Sequence, residues 1–444
     1  MKKMKLRIAP TKKLIGTINA PPSKSYSHRA FIASSLTNGV SIIKNPLISG
    51  DVGVTIKILE ALGHKVSIAS NHSFIVKSNY GNYKSVKKLL DCRNSGTSIR
   101  IFTALAMLID GGLSFTGEFI KRKRPIIPLL KALESIGCNY RLTEKDLKVK
   151  RKGKKCDIIN IPGDISSQFV SALLMMCPLL DCKKRNSMIV KITSPITSYP
   201  YVKITLDVLR SFGIKIQENL NNEKVGSYLV PCKQKYRAQT YEVPGDFSSI
   251  SVILAATILT PEESQVVIKN LNFEKPQGDQ RIIEILQEMG ANIKIMKEDN
   301  CLIVNGGINQ NPLTGISIDI KDTPDLFPIL SIIGAFAKGK TEIYNALNLR
   351  KKESDRISII AKELKKMGVK VIEENDKITI YHCKELRGTS FNHANDHRIA
   401  MSLTIASLFA QGPSLIENIE IVEDSYPNFV EHIKKLGANV DLVE

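Results

Sequence analysis

Apolar stretches that end in glycine recur along the whole chain. Each has the spacing of an amphipathic helix, reaches a glycine suited to a helix C-cap, and is followed by a short segment of alternating apolar residues. The glycines are Gly63, Gly137, Gly213, Gly290, Gly368 and Gly437. Successive glycines are 69 to 78 positions apart. The pattern therefore predicts a helix, a glycine cap and a strand, repeated six times.

A second predicted helix begins about 40 residues before each glycine, with a polar start typical of helix caps. The six starts are Ser23–Ser25, Asn94–Ser98, Ser166–Gln168, Asp246–Ser249, Asp322–Asp325 and Asn395–Arg398. A strand-like segment, such as Val40–Asn45 or Ser264–Asn270, lies between the two helices of a unit. We therefore predict an α/β protein built from six repeats of a β-α-β-α-β unit.

Length and composition agree with a large globular protein. A chain of 444 residues with 43% apolar content is expected to form two or three domains. No apolar run approaches the ~20 residues that span a bilayer, and Met1–Lys3 is not followed by a signal-peptide core. We expect no membrane association and a cytoplasmic location. The eight cysteines lack metal-ligand spacing, and we expect them to be reduced: Cys92, Cys138, Cys156, Cys177, Cys182, Cys232, Cys301 and Cys383.

The net charge of +20 is compatible with nucleic acid, an acidic membrane surface or small anionic substrates. Much of the excess is lysine scattered over predicted helix faces. Aromatic residues make up 6% of the chain and Trp is absent, so a platform for stacking bases is poorly supplied. The densest basic run, Lys121–Arg124, precedes Pro125 in a loop between two helices. The composition therefore favours small anions over nucleic acid.

The segment Gly334–Thr341 matches the P-loop pattern but not its context. A P-loop follows a strand and opens a helix, so that backbone N–H groups point at phosphates. Here Leu326–Ala337 has the length and composition of a helix, and Thr341–Tyr344 resembles a strand. We therefore interpret Gly339 as a helix C-cap and predict no ATP site.

The helix starts carry a coherent set of chemical groups. In Pro21–Arg29, serines and two cations, Lys24 and Arg29, surround a helix N-terminus, which itself attracts anions. The corresponding groups in the chain are the cations Lys24, Arg29, Arg100, Arg124, Arg356 and Arg398, the neutral donors Ser25, Asn94, Ser166, Ser167 and Gln168, and the carboxylates Asp325 and Glu353. Arginines bind phosphates and carboxylates, and carboxylates transfer protons. The set indicates an acid/base reaction between two small anions.

The order of these motifs resembles that of the EPSP synthase family of enolpyruvyl transferases, from the first predicted strand to the last helix. The motifs are Pro22–Ser25 with Arg29, Asn94–Thr97 with Arg100, Lys123–Pro125, Ser166–Gln168, Pro324–Asp325, Lys352–Arg356 and Asn395–Arg398. The resemblance implies two domains of three repeats each, folded as inside-out α/β barrels. Residues 1–20 would join 243–444 in one domain, residues 21–242 would form the other, and the active site would lie in the cleft between them.

The resemblance also implies a reaction. The enolpyruvyl group of phosphoenolpyruvate is transferred to the 5-hydroxyl of shikimate 3-phosphate by addition and elimination, on the shikimate pathway to chorismate and the aromatic amino acids. Asp325 would be the base at the hydroxyl, with Lys24 beside it, and Glu353 would act at the methylene carbon. No cofactor and no metal is implied, and we expect a monomer.

The binding residues follow by similarity. Shikimate 3-phosphate would contact Lys24, Ser25, Arg29, Ser166, Ser167, Gln168, Ser198, Asp325, Asn348 and Lys352. Phosphoenolpyruvate would contact Lys24, Gly96, Arg124, Gln168, Arg356 and Arg398. A side chain at Gly96 would crowd the pocket of the small anion, which glyphosate also occupies in this family.

The chain departs from the family pattern near its C-terminus. Many members carry a lysine shortly before a Phe-Pro pair, whereas here the segment is Glu423–Pro427 and Asp424 stands at the expected lysine position. A positive charge toward phosphoenolpyruvate is therefore missing. The loops around Ser198 and Asn348 align loosely with the family.

Two alternatives remain. The sister enolpyruvyl transferase that acts on UDP-N-acetylglucosamine has a cysteine in its active loop, and Gly117–Lys121 has none. A repeat-built, non-catalytic protein that binds anions is the second. Carboxylates set among arginines argue against it, because an anion trap gains nothing from buried acids.

Overall fold

The computed structural model describes residues 4–69, 72–81, 86, 88–153, 158–182 and 186–443. The strands are β1 (Lys5–Ile8), β2 (Ile15–Asn19), β3 (Asn38–Lys44), β4 (Lys65–Ile68), β5 (Ser73–Asn79), β6 (Leu90–Asp91), β7 (Leu113–Thr116), β8 (Cys138–Leu142), β9 (Asp146–Arg151), β10 (Ile158–Ile161), β11 (Ser187–Ile192), β12 (Gln217–Leu220), β13 (Gly226–Pro231), β14 (Thr240–Glu242), β15 (Gln265–Lys269), β16 (Asn292–Met296), β17 (Cys301–Asn305), β18 (Ser317–Asp319), β19 (Lys340–Tyr344), β20 (Val371–Glu373), β21 (Ile378–Tyr381), β22 (Ser390–Phe391), β23 (Ser414–Glu417) and β24 (Val440–Val443).

The helices are α1 (Lys24–Ser35), α2 (Gly50–Ala61), α3 (Gly96–Leu105), α4 (Glu118–Lys121), α5 (Ile127–Ser135), α6 (Ser167–Met176), α7 (Pro200–Ser211), α8 (Phe247–Ile258), α9 (Ile282–Glu288), α10 (Phe327–Phe336), α11 (Arg356–Lys366), α12 (His397–Leu408) and α13 (Phe429–Lys435). Short 3-10 turns are Ala106–Leu108, Cys177–Leu179, Gly278–Arg281, Pro324–Leu326, Leu347–Lys351 and Ile419–Asp424. Within the described ranges, no helix combines the length and the apolar content needed to cross a membrane.

Six four-stranded sheets share one pairing pattern: a parallel pair at one edge, followed by two antiparallel pairs. Their strand orders are β22-β23-β1-β24, β10-β11-β13-β12, β14-β3-β5-β4, β16-β17-β15-β2, β18-β19-β21-β20 and β6-β7-β9-β8. The six predicted repeats are confirmed, with one strand more per unit than expected, because the last segment is a hairpin. Strands such as β12, with the sequence QENL, carry too few apolar residues to be read as strands from the sequence.

Two kinds of helix alternate along the chain. Helices α1, α3, α6, α8, α10 and α12 are buried along most of their length, and every residue of α8 is buried. The other kind is amphipathic: in α11, Ile357, Ile360, Ala361 and Leu364 are buried at helical spacing. The α/β class is thus confirmed, with one kind of helix buried in the core and the other kind amphipathic.

The chain divides into two compact units. Unit 1 contains Met1–Pro21, Pro244–Glu274 and Gly278–Glu444, and unit 2 contains Pro22–Val243 and Lys275–Gln277. Three sheets belong to each unit. The short segment Lys275–Gln277 was not anticipated from the sequence.

Contacts within unit 2 hold that segment in place. The ammonium of Lys275 donates to Asp207 Oδ2 at 2.8 Å, and the hydroxyl of Tyr26 donates to the carbonyl of Pro276 at 3.3 Å. Such contacts between residues far apart in sequence leave no local signal in the chain.

The edge strands at the two crossings pair within their own units and not with the unit of the helix that follows them in the chain. Strand β2 is followed in the chain by α1 of unit 2, yet it pairs with β15 of unit 1. Conversely, β14 precedes α8 of unit 1 but pairs with β3 of unit 2. Within unit 1, β1 pairs with β23 and β24, so the two ends of the chain share one sheet.

The cysteine prediction is wrong for one pair. Cys182 and Cys232 form a disulfide, with their Cα atoms 5.9 Å apart. The pairing of β11 with β13 brings them together, because Cys182 lies shortly before β11 and Cys232 directly follows β13. Cys92, Cys138, Cys301 and Cys383 form no disulfide among the described residues, and Cys177 is buried. Cys156 lies outside the described residues.

The predicted order of a helix followed by a strand is confirmed, but Gly339 is not the helix C-cap, because α10 ends at Phe336 and its C-cap is Ala337. Gly334 lies inside α10, and the segment then runs through Gly339, at a φ of 85°, into β19. The order is helix then strand, opposite to that of a phosphate-binding loop.

Candidate active site

In unit 2, Lys24 is the first residue of α1 and lies beside an acidic partner. Its ammonium is 3.6 Å from Asp51 Oδ2 in the first turn of α2, and the two side chains are 16% and 19% exposed. The expected serine cap is not formed: among the described residues, the buried hydroxyl of Ser23 at the N-cap has no hydrogen-bond partner. The hydroxyl of Ser23 therefore satisfies none of the N–H groups of this first turn. Ser25, the next predicted ligand, is half-buried in the same turn.

Arg29 is fully buried one turn further along α1. Its Nε donates to Thr205 Oγ1 at 2.7 Å and its Nη1 to the carbonyl of Ser25 at 2.9 Å. Its Nη2 donates to Ser171 Oγ at 3.4 Å and to the carbonyl of Tyr201 at 3.2 Å. Burial lowers the pKa of Arg29 to about 10, so the group stays cationic at neutral pH. All four acceptors are neutral, and the charge of Arg29 therefore adds to the positive potential at the start of α1.

A second group in unit 2, which we call the arginine–glutamine cluster, consists of Asn94, Gly96, Arg100, Arg124 and Gln168. Arg100 Nη1 donates to Gln168 Oε1 at 2.6 Å. Arg124 Nη1 donates to the carbonyl and the Oδ1 of Asn94 at 2.6 and 3.1 Å. Both arginines are nearly buried, and both guanidinium groups lie 5.0 Å from the centre of one phenylalanine ring.

Gly96 lies where these side chains converge. A Cβ added there would be 3.2 Å from Arg100 Nη1, 3.2 Å from Gln168 Oε1 and 3.3 Å from Arg124 Nη2. These distances are shorter than ordinary van der Waals contact, so a side chain would displace the polar ends by a few tenths of an ångström. The absence of a side chain at Gly96 thus preserves a space bounded by two cations and an amide.

The serines of unit 2 have different environments. Ser166 caps α6 by accepting a hydrogen bond from the N–H of Gln168 at 3.3 Å. Ser167 is buried as the first residue of α6. Ser198, buried shortly before α7, has a φ of 55°, which is uncommon for a residue with a side chain.

In unit 1, one guanidinium binds three acids. Arg356, the first residue of α11, donates from Nε to Asp396 Oδ2 at 2.8 Å, from Nη1 to Asp325 Oδ1 at 2.8 Å and from Nη2 to Glu353 Oε2 at 3.1 Å. Arg398 Nη2 is 3.8 Å from Asp325 Oδ2. We call Asp325, Glu353, Arg356, Asp396 and Arg398 the carboxylate–arginine cluster.

The electrostatics of this cluster favour its charged forms. Burial by itself raises the pKa of Asp325, but Arg398, Arg356 and Lys352 together hold it well below its ordinary value. Burial likewise opposes the charge of Arg356, yet its acidic partners, Asp396 first among them, raise its pKa well above the ordinary value. Asp325 is therefore an ionised carboxylate at neutral pH, able to accept a proton.

The structure thus brings together Asp325, Glu353, Arg356 and Arg398 as expected, with Lys352 close enough to act on Asp325. Asn348 is half-buried in the 3-10 turn Leu347–Lys351. No group of three or more acidic, histidine or cysteine side chains in the described part of the chain is arranged to hold a metal ion.

Sequence reasoning missed two residues of these groups. Asp396 is completely buried, accepts from Arg356, and caps α12 by accepting from the N–H of Arg398 at 3.0 Å. Aspartate is a common N-cap residue, so helix capping was enough to explain Asp396. Nothing in the sequence indicated its contact with Arg356. Asp51, the partner of Lys24, stands in no motif.

Asp424 occupies the position where a lysine was expected. It is half-buried and ends the 3-10 turn Ile419–Asp424. The following Ser425 is anchored, because its carbonyl accepts from Ser249 Oγ at 3.2 Å. The position in unit 1 where the family pattern has a lysine is therefore occupied by an acidic side chain.

Comparison with known proteins shows similarity over nearly the whole chain. Residues 8–433 match the family model described as EPSP synthase (3-phosphoshikimate 1-carboxyvinyltransferase). A 3-phosphoshikimate 1-carboxyvinyltransferase from Methanocaldococcus jannaschii is 42% identical over 443 residues, covering 98% of this chain and 99% of the relative. One from Methanococcoides burtonii is 42% identical over 432 residues, covering 97% of each.

Solved structures show the same fold. EPSP synthase from Acinetobacter baumannii superposes with a TM-score of 0.79 at 25% identity, over 99% of this chain and all of the other. The enolpyruvyl transferase NikO from Streptomyces tendae gives a TM-score of 0.78 at 16% identity, over 99% of both chains, and at that identity it supports the fold alone.

Proposed function

The chain belongs to the EPSP synthase family, and from this membership and the two clusters we infer that it transfers the enolpyruvyl group of phosphoenolpyruvate to the 5-hydroxyl of shikimate 3-phosphate. The product is 5-enolpyruvylshikimate 3-phosphate, and phosphate is released. The observation that carries the inference is the guanidinium of Arg356, which holds the carboxylates of Asp325 and Glu353 at 2.8 and 3.1 Å. An anion-binding protein has no use for two carboxylates in this position, whereas a proton-transfer reaction needs them.

The chemistry assigns a task to each acid. In the addition, the 5-hydroxyl oxygen bonds to C2 of phosphoenolpyruvate while the hydroxyl proton leaves and C3 gains a proton. In the elimination, C3 loses a proton and the C2–O bond to phosphate breaks. We assign Asp325, ionised by its cationic neighbours, to the hydroxyl proton. Glu353 exchanges the proton at C3, and Lys24 stabilises the charge that develops at the reacting oxygens.

We assign the substrate-binding residues by charge, because both substrates are anions and the candidate residues include several cations. We assign the phosphoenolpyruvate anion to Arg124, Gln168 and the space at Gly96 in unit 2, and to Arg356 and Arg398 in unit 1. Shikimate 3-phosphate is assigned to Lys24, Ser25, Arg29, Ser166, Ser167, Gln168, Ser198, Asp325, Asn348 and Lys352. The proposal therefore requires side chains from both units.

The observed contacts limit what two of these residues, Arg29 and Ser166, can contribute to substrate binding. The guanidinium of Arg29 already donates to four protein acceptors, so its main contribution to shikimate 3-phosphate is its charge and the placement of Ser25. The hydroxyl of Ser166 accepts from a backbone N–H, which leaves its own proton for a substrate oxygen.

Phosphate release from phosphoenolpyruvate by the purified protein tests the function. The acceptors compared are shikimate 3-phosphate and UDP-N-acetylglucosamine, and ATP alone is the control for the P-loop-like segment. Release that depends on shikimate 3-phosphate is the expected result. Release only with the sugar nucleotide would overturn the acceptor, and no release with either would overturn the function.

Asp325→Asn tests the base. The amide keeps the shape of the side chain but accepts no proton, so we expect turnover to fall about a hundredfold or more with the fold retained. Turnover within about twofold of the unchanged protein would remove Asp325 as the base.

A further inference from the structure

Phe119 is a fully buried aromatic residue of unit 2 that the proposed mechanism does not use. It lies in the short helix α4, and two cations lie over its ring: the guanidinium carbons of Arg100 and Arg124 are each 5.0 Å from the ring centre. A guanidinium within about 6 Å of the centre of a phenyl ring is attracted by the negative face of its π system. One ring therefore attracts both arginines of the arginine–glutamine cluster.

Main-chain contacts fix the position of this ring. The N–H of Phe119 donates to the carbonyl of Arg93 at 2.8 Å, and the carbonyl of Phe119 accepts from the N–H of Arg124 at 3.2 Å. Gly117, with a φ of 134°, precedes α4, and a Cβ there would be 2.6 Å from the carbonyl oxygen of Arg93. The turn therefore packs closely against the loop that precedes α3, through contacts that do not involve the side chain of Phe119.

The two arginines converge on the space at Gly96. A Cβ added there would be 3.2 Å from Arg100 Nη1 and 3.3 Å from Arg124 Nη2. Two positive charges brought close to one point repel one another, and the repulsion is stronger where water is excluded. The hydrogen bonds of the two guanidinium groups run to different carbonyls and hold each group by itself, whereas the ring of Phe119 attracts both.

We propose that Phe119 is a positioning residue for phosphoenolpyruvate: its ring holds the guanidinium groups of Arg100 and Arg124 together, so that both charges act on the bound anion. This role rests on the proposed function, in which the anion of phosphoenolpyruvate binds at Arg124 and at the space beside Gly96. A carboxylate in the place of the ring would cancel the positive charge. The ring offsets the repulsion without cancelling the charge, so the potential that attracts an anion is kept.

The position of Arg100 also determines that of a neutral group. Arg100 Nη1 donates to Gln168 Oε1 at 2.6 Å, and Gln168 Nε2 donates to Thr97 Oγ1 at 3.1 Å. A displaced Arg100 would therefore release the amide of Gln168, which is also assigned to phosphoenolpyruvate. Loss of the ring should thus weaken the binding of phosphoenolpyruvate through both arginines and this amide.

The test removes the π system of the ring in steps. Phe119→Leu replaces the ring by an aliphatic side chain. Phenylalanines with one, two or three ring fluorines, placed at residue 119, keep nearly the same shape, and each fluorine withdraws electron density from the face that attracts cations. The control is the same series at Phe212, which is fully buried in unit 2 and packs against Tyr241, with ring centres 5.7 Å apart.

We expect Phe119→Leu to raise the KM of phosphoenolpyruvate about tenfold and that of shikimate 3-phosphate less than about twofold. The KM of phosphoenolpyruvate should also rise with each fluorine at residue 119 and stay within about twofold in the series at Phe212. Turnover at saturating substrates should change less than about threefold, because Phe119 takes no part in proton transfer. The fluorinated proteins keep the proposal testable if Phe119→Leu does not fold.

The outcomes separate this proposal from the function itself. A KM of phosphoenolpyruvate that does not follow the number of fluorines, or equal rises in the KM values of both substrates, would show a merely structural role for Phe119 and leave the reaction intact. A rise at Phe212 as large as that at Phe119 would also overturn the proposal. Absence of phosphate release by the unchanged protein overturns the reaction, and with it the role.

Discussion

Replacing Arg356 by methionine removes the cation that three acids share. Arg356 is 2% exposed, and its partner Asp396 is completely buried. Asp325 and Glu353 are 21% and 20% exposed. Methionine fills much of the same volume. The principal effect of the substitution is therefore electrostatic, because the three carboxylates lose the cation that they share.

The expected loss of unfolding free energy depends on how deeply each of the three carboxylates is buried. Breaking a buried ion pair by removing one partner costs about 3–5 kcal/mol of unfolding free energy, and this applies to Asp396. The pairs with Asp325 and Glu353 are partly screened by water and add about 0.5 kcal/mol each. We therefore expect Arg356→Met to lower the free energy of unfolding by about 4–6 kcal/mol at pH 7.

The loss should depend on pH with a definite sign. In the unchanged protein, the lowered pKa of Asp325 contributes stability above pH ~4 that is lost as the pH falls through its value in the folded state. In Arg356→Met the buried carboxyls bind protons more readily than in the unfolded chain, so stability falls as the pH rises from about 4 to 7. The difference between the two proteins is therefore larger at pH 7 than at pH 4.

Urea unfolding, followed by circular dichroism at both pH values, measures these quantities. The control is Lys434→Met, which removes an ion pair at 3.0 Å whose side chains are 60% and 65% exposed, and it should cost less than about 1 kcal/mol. A loss for Arg356→Met below about 1 kcal/mol, or an equal loss at pH 4 and pH 7, would refute the reasoning.

Three further predictions concern unit 2. Gly96→Ala places a Cβ about 3.2 Å from two cations and an amide. It should raise the inhibition constant of glyphosate at least about tenfold while changing the KM of shikimate 3-phosphate less, and equal changes would place Gly96 elsewhere. Lys24→Ala should raise the KM of both substrates about tenfold, and an effect on one alone would contradict a bridging role. Cys182→Ser opens a disulfide whose cysteines are 50 positions apart. It should lower the free energy of unfolding by about 4 kcal/mol without reductant, whereas equal stability with and without dithiothreitol in the unchanged protein would show that the bond does not form.

Local patterns were sufficient for much of the candidate site. Polar residues before apolar helical runs correctly indicated the starts of α1, α3, α6, α8, α10 and α12. Asp325 stands at such a start, and Glu353 and Arg356 stand at the start of α11, so a repeated fold that gathers helix N-termini brings them together. Asp51 carried no such signal. Its contact with Lys24 joins residues 27 positions apart in different elements.

The sequence by itself determined the six repeats, the type of most elements and the residues available for chemistry, because these depend on the periodicity and capping of neighbouring residues. Only the tertiary structure decided which strands complete each sheet. Strands β2 and β14 are short and each stands before a core helix, yet each pairs in the unit that does not contain the helix it precedes. Their backbone hydrogen bonds are non-local, and the side chains do not encode which edge accepts them. The same holds for Arg356, whose three acidic partners are defined by packing over up to 40 positions of sequence.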